Sequence, residues 1–251
     1  MRASVVLTPP MSKRLIAKGI AARPEVQQAL RRGRIVVTLG TTNAYVAEEL
    51  AGTPVDRTAY AAGFIDDRWN INARLGEAGE LVLDRGRPVE SRPEETVAAL
   101  SAGDVVIKGG NALDPEGVVG VLMGSPDGGT VGRYAARCLA RGVELVIPIS
   151  LSKSIHTSVA ELSREMGNDR TELRMGLSCG MFPLYGQVVS EIKALETLYP
   201  VRARHVASGG VGTGAGAVSL LIEGEETAVR EAFTLVESLK DEEDITLSGQ
   251  A

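Results

Sequence analysis

Short β-branched runs that each stop at glycine or a small polar residue, with helix-forming stretches between them, constrain this chain more than any other feature. Arg34-Ile35-Val36-Val37-Thr38-Leu39-Gly40 precedes Thr42-Asn43 and the helical stretch 44–50, whose first N–H groups a hydroxyl or amide side chain is suited to cap. Asp104-Val105-Val106-Ile107 stops at Lys108-Gly109-Gly110-Asn111. The run 118–123 stops at Gly124, and after Asp127-Gly128-Gly129 a helix begins at Thr130 and reaches residue 140. The strand 143–149 ends at Ser150-Leu151-Ser152-Lys153. Strands of this kind are buried on both faces, which points to a mostly parallel sheet covered by its own crossover helices. Residues 12–32 read as two helical pieces with Pro24 starting or kinking the second, and 94–100 as a further helix. The segment 53–92 has no clear period apart from a hairpin over 81–89, turned by Asp84-Arg85-Gly86.

The pattern changes near residue 175. A strand at 180–185 leads to an amphipathic helix over 187–198, with Val188, Ile192, Leu195 and Leu198 at helical spacing. Strands at 201–207 and 217–223 flank a glycine-rich loop, a helix covers 225–240, and a short strand starts at Ile245. The order β-α-β-β-α-β is ferredoxin-like. The expected architecture is therefore α/β, with a mostly parallel doubly wound sheet over residues 1–175 and a C-terminal ferredoxin-like α+β domain over 176–251. The acidic run Asp241-Glu242-Glu243-Asp244 reads as solvated surface.

Composition removes several function classes. A formal charge of −5 argues against a broad basic footprint, and three Phe, five Tyr and one Trp are too few for a base-stacking platform, so no nucleic-acid partner is expected. No window approaches 18 apolar residues, so no membrane span is expected. The N-terminal apolar run is too short for a signal peptide, and the chain reads as cytoplasmic. Cys138 and Cys179 form no CxxC pair, and His156 and His205 sit near neither, so the cysteines read as reduced thiols and no metal or other cofactor is expected.

Glycine locates the candidate site. Of 29 glycines, nine fall within 103–132 and five within 209–216. Three polar loops, Gly40-Thr41-Thr42-Asn43, Lys108-Gly109-Gly110-Asn111 and Asp127-Gly128-Gly129-Thr130, each follow an apolar strand, so parallel strands would open all three on one sheet edge. Glycine lets backbone N–H groups approach a ligand, and hydroxyls and helix N-termini add donors, a combination suited to phosphate or carboxylate. The residues expected to hold the anion are Gly40, Thr41, Thr42, Asn43, Gly109, Gly110, Asp127, Gly128, Gly129, Thr130 and Lys153. Lys108, Asn111 and Asp114 would face the reacting carbons, Lys108 as electrophile or, with its pKa lowered by burial, as base. Two named phosphate motifs fail. Gly124 to Thr130 lacks the P-loop lysine, and Gly212-x-Gly214-x-x-Ala217 precedes a strand instead of following one.

From about residue 12 to 153 the chain resembles the ribose-5-phosphate isomerase branch of the isomerase, glucosamine-phosphate deaminase and CoA-transferase fold superfamily. The residues that carry the resemblance are Ile35 to Thr42, Asp104 to Pro115, Gly128 to Arg133, and Leu145 to Lys153. The resemblance implies a phosphate contact at Ser152-Lys153. The family's acidic loop places its first acid at Lys108 and its second at Asn111, while Asp114-Pro115 matches, and its general-base glutamate falls on Tyr134. Aldose–ketose isomerisation moves a proton between neighbouring carbons through a carboxylate, so that activity is not expected. Three readings follow: an enzyme acting on a small phosphorylated or carboxylated metabolite, a non-catalytic metabolite sensor, or an oligomeric regulatory module whose C-terminal part drives assembly. A homo-oligomer is expected from edge strands left free to pair between chains.

Overall fold

The computed structural model describes residues 1–71 and 78–245. Strand β1 (Arg2–Leu7) runs into helix α1 (Pro9–Ala21), and α2 (Pro24–Arg32) follows. Both helices carry proline in their first turn, where the missing N–H costs no hydrogen bond. Then come β2 (Arg34–Val37), α3 (Thr41–Ala51), α4 (Arg57–Tyr60), and the hairpin β3 (Leu81–Asp84) and β4 (Arg87–Pro88). Arg85 and Gly86 turn that hairpin with φ of 49° and 75°, the positive pair that matches strand twist. Helix α5 (Pro93–Ala99), β5 (Val105–Ile107), β6 (Ala112–Leu113), β7 (Val119–Met123), α6 (Gly129–Arg141) and β8 (Glu144–Pro148) follow. The remainder is α7 (Val159–Glu165), β9 (Gly180–Leu184), β10 (Gln187–Val189), α8 (Glu191–Leu198), β11 (Val201–Gly209), β12 (Ala217–Gly224) and α9 (Glu226–Ser238).

Among the described residues three sheets form. The largest has the order β10-β8-β5-β2-β3-β4, parallel from β10 to β2 and antiparallel through β3 and β4. The antiparallel sheets β6-β7-β9 and β1-β12-β11 complete the fold. The mixed α/β class and the mostly parallel sheet match the sequence reading.

Three expectations differ. The run at 118–123 is a strand, but β7 lies between β6 and β9 and not in the parallel sheet. An apolar run shows that a strand is buried and leaves its neighbours unspecified. The stretch 187–198 begins as strand β10, paired with β8, and becomes helical only at Glu191. Val188 and Val189 thus serve a sheet edge, where β-branched residues pack well. The strands after residue 175 also make no sheet of their own: β9 joins β7, β10 joins β8, and β11 and β12 join β1. The third strand of that last sheet comes from Arg2–Leu7, which the sequence reading left without a partner. The strand expected from Ile245 falls, beyond that residue, outside the described residues.

One apolar cluster runs from Leu7 and Val218 through α1 to Ile107 and Ile147. At its centre α1 crosses α8 so closely that a Cβ on Gly19 would come 2.5 Å from Ala194 Cβ. Asp241, Glu243 and Asp244 of the acidic run are exposed, as expected, and the run is also tied into ion pairs. Glu242 pairs with Arg14 (2.9 Å) and Arg57 (2.9 Å), Lys13 with Asp244 (2.6 Å), and Glu48 of α3 with both arginines. The Tyr45 hydroxyl donates to the Glu243 carbonyl at 2.7 Å, and Arg57 stacks 4.1 Å from the Tyr45 ring centre. Gly19→Ala should destabilise the fold by roughly 1–3 kcal/mol, although alanine is the better helix former, because overpacking outweighs propensity. A lower urea midpoint at unchanged slope is the result expected; an unchanged or higher midpoint would show that the two helices have room to separate.

Candidate functional site

Strands β2 and β5 end level with one another and β8 runs two residues further beside them, so the loops after all three meet. Their backbones are stitched by Thr38 N–H to the Ile107 carbonyl (3.1 Å) and Lys108 N–H to the Val146 carbonyl (3.0 Å). Asn43 reinforces the seam, its Nδ2 donating to the Thr38 carbonyl at 2.8 Å and the Ile107 carbonyl at 3.3 Å. That settles why Asn43 does not cap α3, as its sequence position suggested: its amide is drawn down to two carbonyls left over at the strand ends. Asn43 Oδ1 is buried with no hydrogen-bond partner, close to Gly109.

A cavity of about 400 Å³ opens above this seam. Two helix N-termini face it. Thr41, Thr42 and Asn43 precede the first helical bond of α3, from Ala44 N–H to the Gly40 carbonyl (3.0 Å). Thr130 and Val131 precede that of α6, from Gly132 N–H to the Gly128 carbonyl (3.1 Å). Helix N-termini present unpaired donors and the positive end of the helix dipole. Gly128 and Gly129 approach with φ of 79° and 53°, a conformation that costs other residues energy. Behind them Asp127 accepts from Gly129 N–H (2.8 Å) and the Ser125 hydroxyl (2.6 Å), bonds that hold its carboxyl below the usual range.

Two lysines supply the charge. Lys108 Nζ donates to the Gly109 carbonyl at 2.8 Å and Lys153 Nζ to the Gly110 carbonyl at 2.7 Å, so both converge on one glycine pair. Burial pushes each down to about 8; repulsion from Lys153 adds to the effect on Lys108, and repulsion from Lys13 to that on Lys153. Glu80 opposes the fall at Lys108. Lys153 is placed by a 3-10 turn, Leu151–Lys153, anchored by the fully buried Glu191, which accepts from the Ser150 hydroxyl (2.5 Å) and Leu151 N–H (2.9 Å).

Of the residues expected at the site, the cavity brings together Gly40, Thr41, Thr42, Asn43, Lys108, Gly109, Gly110, Asn111, Gly128, Gly129, Thr130 and Lys153. The third loop reaches it although its strand belongs to another sheet, because β7 still delivers its end to the same place. Asp114 and Asp127 do not line it. Asp114 is turned into the protein, accepting from Val118 N–H (2.7 Å) and Val159 N–H (2.9 Å). Asn111 lines the cavity, but its amide is spent: Nδ2 donates to the Gly63 carbonyl (2.7 Å) and Oδ1 accepts from Leu122 N–H (3.0 Å). His156 and His205 are both exposed, and neither lines the cavity.

Glu80 escaped the sequence reading. Burial raises its pKa, and it accepts from the Tyr134 hydroxyl at 2.5 Å and from Arg133 at 3.3 Å. It immediately precedes β3, which runs antiparallel to β2, so β3 begins at the edge where the parallel strands end. An antiparallel neighbour is the signal that would have placed it. Among the described residues no group of three His, Cys, Asp or Glu is arranged to hold a metal ion, and no helix is long and apolar enough to cross a membrane. No protein-family model, curated protein or solved structure matches the chain. Asp114→Ala should cost about 1–3 kcal/mol of stability by stranding the buried Val159 N–H and the part-buried Val118 N–H, and should leave anion binding unchanged in a calorimetric titration. A loss of binding at full stability would return Asp114 to the site.

Proposed function

We propose that this protein binds a small phosphorylated or carboxylated metabolite at the ends of β2, β5 and β8. The observation that carries the reading is the pair of lysines: each is part-buried, each spends one hydrogen on a glycine carbonyl, and no Asp or Glu among the described residues lines their cavity. Desolvated cations without a carboxylate are costly, and an anion between two helix N-termini offsets that cost. The anion would sit against Thr41, Thr42, Gly129, Thr130 and Val131, with Lys108 and Lys153 beneath it. The order of elements from α1 to Lys153 supports reading this part as a relative of the isomerase and CoA-transferase fold, with the anion-holding loops kept. A lining without carboxylates among the described residues favours binding over aldose–ketose isomerisation, and leaves Lys108 and Lys153 as the groups able to take or give a proton near neutral pH.

The pH dependence has a definite sign. Both lysines are lowered, so their charged form is the unfavoured one in the empty protein; a bound anion favours it and draws in protons. Sulfate, whose own charge is constant over this range, should bind well at pH 6.5 and weaken about tenfold or more by pH 9.5 as both groups neutralise through pH 8. Affinity that stays level across that interval removes the lysines from the site. Lys153→Met and Lys108→Met should each weaken sulfate by roughly ten- to a hundredfold, the worth of one charge-assisted hydrogen bond. Each should change the stability of the empty protein little, because the desolvated charge that is lost offsets the glycine carbonyl left without its donor. Equal losses of stability and binding would mark a structural role instead.

A further inference from the structure

The cavity has two unlike walls. The donors and ammonium groups occupy one. Leu39, Phe64, Ile71, Leu122, Met123 and Leu177 supply much of the rest. Three of these side chains gather beside the glycines of the third loop: a Cβ on Gly124 would come 3.0 Å from Leu177 Cδ1 and 3.8 Å from Ile71 Cγ2, and one on Gly128 would come 3.4 Å from Met123 Sδ. The apolar wall therefore begins where the α6 N-terminus ends.

That wall is held in place. Asn70 ties two loops together, donating to the Leu177 carbonyl at 2.6 Å and accepting from Leu177 N–H at 2.9 Å, while its own N–H reaches the Met175 carbonyl at 3.0 Å. Asn111 fixes the near end through Gly63. Away from the anion end, the polar side chains that line the cavity among the described residues are already committed: Asn111 to Gly63 and Leu122, and the Ser125 hydroxyl to Asp127. A polyhydroxylated body would lose its water here and find few partners, at a cost for each unpaired hydroxyl. A hydrocarbon body would gain from burial.

We infer that the ligand is amphipathic, an anionic head on an apolar chain, with the head between the α3 and α6 N-termini and the chain along Met123, Ile71, Phe64 and Leu177. This rests on the anion-binding reading above and narrows it to one class of ligand. Phosphate and carboxylate heads share the required chemistry, and parallel series of n-alkyl monophosphates and n-alkanoates separate them.

The test is calorimetric titration of the whole protein at pH 7 with both series from one to eight carbons, with a pentose phosphate and with n-hexanol. One series should tighten by about three- to fourfold per methylene until the wall is covered. The pentose phosphate should bind no better than methyl phosphate, and hexanol not measurably. Leu177→Ser, at a rim position 37% exposed and so tolerant of change, should flatten the slope while leaving methyl phosphate or acetate affinity unaltered; Phe64→Ser repeats the test deeper in the wall. If phosphates bind but chain length has no effect, or the pentose phosphate binds tightest, the amphipathic inference is overturned and the anion site stands. If no anion binds, or hexanol binds as tightly as hexyl phosphate, both fall.

Discussion

β2 and β5 stop at the same level while β8 runs on beside them, and the strand ends leave a row of peptide groups that the sheet no longer pairs. Everything at the candidate site answers that row. Thr38, Lys108 and Ile149 extend the ladder by one N–H each, to Ile107, Val146 and Val189. Asn43 takes the Thr38 carbonyl and shares that of Ile107, and the two lysines take those of Gly109 and Gly110. A buried backbone carbonyl without a donor costs free energy comparable to a lost hydrogen bond, so a strand end of this kind needs donors close by. Here two of those donors are ammonium groups, which satisfy the carbonyl and bring charge into a desolvated place. The backbone requirement and the electrostatic character of the cavity thus have one origin.

Glycine at 109 and 110 makes the arrangement compact. A Cβ on Gly110 would come 2.1 Å from Val119 Cγ1, so β7 can lie against this loop only because the side chain is missing. That contact brings the end of β7, and with it the α6 N-terminus, to the parallel edge from a different sheet. Glu191 performs a similar service from the other side, fixing the turn after β8 with a fully buried carboxylate. The cavity is assembled from several sheets and helices and has little freedom to change shape piecemeal.

Much of this was legible in the chain. The β-branched runs that stop at glycine marked β2, β5 and β8, and parallel strands turn such stops into one shared edge. Lys108, Lys153 and the first two glycine loops followed from that geometry, whereas the third loop arrives from β7, in another sheet. What stayed hidden depends on pairings between distant segments. Apolar content predicted that 118–123 is a strand, and nothing in it specifies β9 as its neighbour. Val188 fits a helix stripe and a strand edge equally well, and only β8 decides between them. Asp114 carries the residue type of a catalytic acid, yet an N–H just before β7 and the first N–H of α7 claim its oxygens. Glu80 sits in the stretch with no readable period, and its place is set by a hairpin running against the parallel strands.

The pairing of Arg2–Leu7 with Ala217–Gly224, and the ion pairs from Arg14 and Arg57 to Glu242, join residues separated by some two hundred positions. Contacts so far apart in sequence close large loops before they return any stabilisation, and chains rich in them fold slowly. During synthesis β1 must wait, an unpaired apolar-faced strand, until β12 has emerged, and Tyr45 with its two stacked arginines must wait longer still. The helix whose N-terminus faces the cavity, α3, is among the elements left incomplete in that interval. A nascent chain could therefore build the parallel strands early and still lack a finished anion pole until almost all of it had been made.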